Sequence, residues 1–61
     1  MIQEIIDKFY LFIRKQNIKQ YEAAAMIGCH PGYLSKIFHG ERIPSMTLLN
    51  EMEKVMEKYG K

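Results

Sequence analysis

The chain has 61 residues, 48% of them hydrophobic and 26% charged, which leaves room for one domain with one core, near the smallest size that packing alone can fold. Nine Lys and Arg against seven Asp and Glu give a net charge of +2, too slight a lean toward polyanions to identify a partner by itself. A single cysteine rules out an internal disulfide, and no leader-like or bilayer-length apolar run follows Met1, so a cytoplasmic protein with no membrane association is expected.

From Ile2 to about Gln16, the residues Ile2, Ile5, Phe9, Phe12 and Ile13 recur at three- and four-residue steps, with Ile6 widening the stripe, and predict a first helix. Tyr10 and Leu11 are left over on its outer side. Asn17 suits a left-handed helix terminus, after which Ile18 folds back onto the core. A second helix is predicted over Gln20 to Ile27. Its run Ala23, Ala24, Ala25 is strongly helix-forming and has little bulk, so another helix can approach closely. Gly28 stops it and permits the reversal. Cys29 is read as a small core residue of the turn in preference to a reactive thiol.

His30 lies in the N-cap region of a third helix, with Pro31 at the first helical position, where its missing N–H costs nothing. That helix runs to about Phe38 and is closed by Gly40. Leu34, Ile37 and Phe38 are expected to point inward, leaving Gly32, Tyr33, Ser35 and Lys36 outside. Ser45 caps a fourth helix, whose stripe is Leu48, Met52, Val55 and Tyr59, joined by Leu49 and Met56, with Gly60 as its stop. Met46, Met52 and Met56 are read as core filler in preference to a binding groove. No segment alternates as a strand would. The prediction is therefore an all-α, four-helix single domain over residues 1–61 with a central helix-turn-helix.

The positive charge is concentrated rather than spread. Arg14, Lys15, Lys19, Lys36 and Arg42, with His30 and His39, lie in the middle of the chain against Glu22 and Glu41, while the last seventeen residues balance three acids with three lysines. Catalytic chemistry finds no support: there is no carboxylate pair, no nucleophile beside a base and no phosphate-cradling glycine loop. His30, His39 and Cys29 match no zinc spacing. Neither an enzyme nor any cofactor, metal or small-molecule ligand is expected.

Gln20, Ala24, Gly28, Leu34 and Ile37 stand in helix-turn-helix spacing: a helix opener, a small residue at the crossing, a glycine at the turn and two apolar anchors of the second helix. With Gly40, Pro44 and Ser45 following, the stretch from about Phe9 to Met56 resembles the phage lambda repressor and Cro family, the Xre-type regulators. The resemblance implies a sequence-specific DNA-binding transcriptional regulator, a small Cro-like repressor, whose helix at about 31–38 lies in the major groove of double-stranded DNA. It implies a homodimer on a symmetric operator. It places His30, Gly32, Tyr33 and Lys36 at base edges or nearby backbone, and Lys19, Gln20, His39 and Arg42 at phosphates.

The chain departs from the family pattern in four places. Pro31 and Gly32 stand where a glutamine or serine often reads bases. Ile13 and Phe38 replace a frequent buried Arg–Glu ion pair, so an apolar contact is expected there, at little net cost. Lys19 stands in place of a threonine cap. The pattern ends with a fourth helix where many relatives carry a fifth helix or a sensor domain. Pro31 and Gly32, with Tyr10 and Leu11, also suggest an alternative: a protein-interaction module that keeps the fold without binding DNA.

Overall fold

A computed structural model of the chain describes residues 2–59. Its helices are α1 (Ile2–Lys15), α2 (Gln20–Ile27), α3 (Pro31–Phe38) and α4 (Met46–Tyr59), and no strand occurs among the described residues. The domain is therefore all-α with a central helix-turn-helix, as expected. α1 ends one residue before the Gln16 limit read from the sequence, and the stop expected at Gly60 lies outside the described residues.

The first three helices end in the same backbone device. After α1, the Ile18 N–H donates to the Ile13 carbonyl (2.8 Å) and the Asn17 N–H to that of Arg14 (3.2 Å). After α2, Cys29 donates to Ala24 (2.9 Å) and Gly28 to Ala25 (3.3 Å); after α3, Glu41 donates to Lys36 (2.8 Å) and Gly40 to Ile37 (3.1 Å). Each pair is a Schellman closure, which satisfies orphan carbonyls and requires a left-handed residue just past the helix. Asn17, Gly28 and Gly40 supply it, with φ of 59°, 78° and 79°. α4 begins as its sequence predicts, the Leu48 N–H donating to Ser45 Oγ at 3.2 Å.

α4 packs on α1 and α2, and α3 packs on α2 and α1. The centre of the core is Phe9, Ala23, Ala24, Leu34 and Met52, all fully buried, with Ile6, Ile13, Ile27, Ile37, Leu48 and Leu49 around them. No polar or charged residue among those described is buried.

Several expectations of side-chain placement are corrected. The α1 stripe is centred on Ile6, Phe9 and Ile13, while Ile2 is 43% exposed. Leu49, which joined the α4 stripe, is buried as expected, whereas Met46, read as core filler, is 67% exposed at the first turn of α4. Tyr59 is half exposed, although its ring meets Phe12 edge-on at 6.2 Å. Tyr33, expected outside, is half-buried and packs against the core. The joint between α1 and α3 is apolar, as expected, and Phe38 is only partly buried in it. The ring contacts of Phe38 are with Phe9 (centroids 6.4 Å apart) and Tyr10 (5.0 Å, edge-on), a turn nearer the N-terminus of α1 than Ile13.

Candidate nucleic-acid interface

The turn between α2 and α3 decides which way α3 faces. Gly28 reverses the chain, and Cys29 and His30 bring it to Pro31, the first residue of α3. Leu34 and Ile37 fix the helix from inside. What remains outside, with the loop beyond Gly40, forms one broad open depression lined by His30, Gly32, Tyr33, Lys36, Glu41, Arg42 and Ile43. Five of the eight residues singled out from the sequence thus share one surface. Lys36 and Arg42 are exposed. Glu41 is the one acid in the group.

His30 has extended backbone (φ −74°, ψ 139°), and its Nδ1 accepts the Gly32 N–H at 3.0 Å. It is the N-cap of α3, a role histidine fills less often than serine or aspartate. Gly32 is consequently neither a side-chain reader nor a source of a free amide, since its N–H is already taken. A Cβ at position 32 would stand 3.2 Å from His30 Nδ1 and 3.5 Å from its Cε1. The glycine is the seat on which the imidazole rests.

Gln20 and His39 lie apart from this group, in a second depression with Ile6, Asp7, Tyr10 and Phe38. His39 Nδ1 is 2.7 Å from the Ser35 carbonyl oxygen, so Nδ1 carries the proton and donates. In the neutral ring the outward Nε2 then accepts and cannot bind a phosphate oxygen. A phosphate contact from His39 requires the imidazolium.

Lys19 occupies a third depression with Arg14, Asn17 and Ile18. A lysine side chain has no acceptor, so it cannot cap α2. Glu22 Oε1 instead accepts the Lys19 N–H at 3.0 Å, half of a capping box. Arg14 was not singled out for this surface by the sequence. Its Nη1 donates to the Tyr10 hydroxyl (3.2 Å) and its guanidinium carbon sits 5.5 Å from that ring's centroid, an arrangement that holds an exposed cation in place. The spacing of Tyr10 and Arg14, four apart on one helix, was the available signal.

Burial pushes the Cys29 thiol above its ordinary range, which disfavours the thiolate and hence nucleophilic chemistry. Among the described residues no group of His, Cys, Asp and Glu is placed to hold a metal ion. No described helix is long and apolar enough to cross a membrane.

Comparison with known families gives a match to the helix-turn-helix family HTH_3 over residues 11–59. No curated protein and no solved structure matches the chain significantly. The matched segment contains α2, the turn and α3 in full, together with the C-terminal end of α1 from Leu11 and all of the described α4. The chain belongs to the lambda repressor-like (Xre) helix-turn-helix family of DNA-binding domains.

Proposed function

We propose that the protein is a sequence-specific transcriptional regulator, a small Cro-like repressor, that binds a symmetric operator as a homodimer with α3 in the major groove. The observation that carries this reading is the single depression along α3, where His30, Tyr33, Lys36 and Arg42 lie together around an apolar-anchored helix. In this reading Tyr33 and Lys36 face bases, while Arg42, Lys19 and Gln20 contact phosphates, joined by Arg14 beside Lys19 and by His39 when protonated. Phosphate contacts then dominate affinity and make it steeply salt-dependent.

Titration of random duplex at low and moderate salt tests the DNA reading. Binding that weakens steeply with salt supports it, and flat dependence or no binding refutes it. Lys36→Ala is expected to weaken binding to a selected site more than to random duplex. Arg42→Ala is expected to weaken both alike and to flatten the salt slope by about one unit; an unchanged slope removes Arg42 from the phosphate contacts. Sedimentation at micromolar concentration tests the dimer.

The alternative reading, a protein-interaction module, draws support from Ile43 and Met46, which are 78% and 67% exposed. Ile43 lies on the rim of the same depression. Failure to bind duplex at any salt, with the fold intact, favours it.

A further inference from the structure

We propose that the imidazole of His30 replaces the reader side chain that α3 lacks at its first turn, and that it does so as a fixed hydrogen-bond donor to a guanine in the major groove. The inference rests on the DNA-binding reading above and specifies the chemistry of one contact within it.

The geometry of the cap fixes the tautomer. Nδ1 accepts the Gly32 N–H at 3.0 Å, so it holds a lone pair, and the one proton of a neutral imidazole is then on Nε2. The cap also fixes the ring, since Nδ1 is tied to the backbone of α3 and the ring lies over a residue with no side chain. A methyl group at position 32 would stand 3.2 Å from Nδ1, tight enough to push the ring aside by a few tenths of an ångström, so Gly32 leaves the ring its unstrained seat. With Nδ1 occupied, Nε2–H is the remaining polar group of the ring, and His30 is exposed on the wall of the depression that Tyr33, Lys36 and Arg42 share.

A donor at this place discriminates between base edges. Cytosine N4 and adenine N6 are themselves donors and repel it. Guanine offers two adjacent acceptors, N7 and O6, and no donor in the major groove. Adenine N7 and thymine O4 also accept, but the first adjoins the N6 donor and the second the C5-methyl group, so guanine is the base that best fits a pinned Nε2–H. Pro31 and Gly32 cannot read bases by themselves, yet together they let the preceding residue do so: Pro31 starts the helix without needing an N–H partner, and Gly32 supplies both the anchoring amide and the space.

The test uses the whole chain and two site selections from a random duplex pool, one with the wild type and one with His30→Ser. Serine is a good N-cap, so the variant keeps the helix start, but its hydroxyl sits on a one-carbon side chain at the capped amide and does not extend to where the ring carries Nε2–H; an unchanged melting curve verifies that the fold is kept. The wild type is expected to select guanine at one position of each half-site, and His30→Ser to lose that preference at that position alone. Affinity for the wild-type site is expected to fall about fivefold or more, with affinity for random duplex unchanged. Identical selected sequences for the two proteins overturn the proposal. An equal loss on random duplex also overturns it, because the contact is then to phosphate. Nitrogen-15 spectra of the histidine rings in the free protein provide an independent reading: an Nδ1-protonated His30 refutes the proposal while leaving DNA binding intact. Absence of binding to any duplex removes the DNA reading itself, and the His30 contact with it.

Discussion

Substituting leucine for Ala24 tests the crossing of the two hairpin helices. Ala24 is fully buried, and α2, on which it lies, packs against both α3 and α4. A leucine there must displace packed neighbours, which typically costs about 1–3 kcal/mol. The whole domain, at 61 residues, is worth about 3–9 kcal/mol by the usual stability per residue, so the loss is a large share. One kcal/mol lowers the melting temperature of so small a domain by roughly 4–8 °C, giving an expected fall of about 4–24 °C. Ala25 is the control, because it neighbours Ala24 on the same helix and is exposed. Thermal melts followed by circular dichroism compare Ala24→Leu with Ala25→Leu. If the two melt within about 2 °C of each other, the assignment of Ala24 to the crossing is wrong.

Two further outcomes follow from the turn between α2 and α3. Gly28→Ala is expected to cost about 1–2 kcal/mol from backbone strain alone, since φ is 78° and an added Cβ meets no atom within 4 Å; a wild-type melting curve would contradict the Schellman closure there. Cys29, its thiol raised by desolvation from the model-compound value of 9.0, is expected to alkylate more slowly than a cysteine peptide near pH 8. The raised value means that the neutral thiol is favoured in the folded state and that the unfolded chain ionises first as pH rises. The resulting stability is intact below the unfolded value and is lost as pH climbs through the folded one. Denaturant melts at about pH 7 and about pH 10 should therefore show a greater alkaline loss for the wild type than for Cys29→Ala, and equal losses would remove the burial argument.

Helix limits were legible because the punctuation is local. Gln20, Gly28, Pro31, Gly40 and Ser45 each act through their own backbone or a neighbour's, and α2 and α3 have the bounds their sequence predicts. The direction in which a stripe faces was less legible. Ile2 and Ile6 both fit the period of α1, and only the packing of the other helices decides that Ile6 is inside. Met46 was misplaced for a related reason: which face of the first turn of α4 meets α1 and α2 is set by how the chain enters that helix, not by the residue type. At the interface, the sequence identified His30 and Gly32 but not their relation, because a side chain resting on a backbone amide is a three-dimensional fact with no periodic trace. Arg14 was counted in the central positive charge but not assigned to a phosphate, because its spatial neighbour Lys19 lies beyond the turn at Asn17.

α2 and α3 are eight residues each, two turns apiece and too short to persist alone in water. They are held by a core that closes only when Leu48, Leu49 and Met52 of α4 arrive, and α4 is synthesised after both of them. A chain still emerging from the ribosome, or one cut before Met46, therefore presents no ordered α3 to DNA. The unclosed core of a copy cut before α4 also exposes it to degradation. The fold thus makes an ordered α3 depend on synthesis through α4.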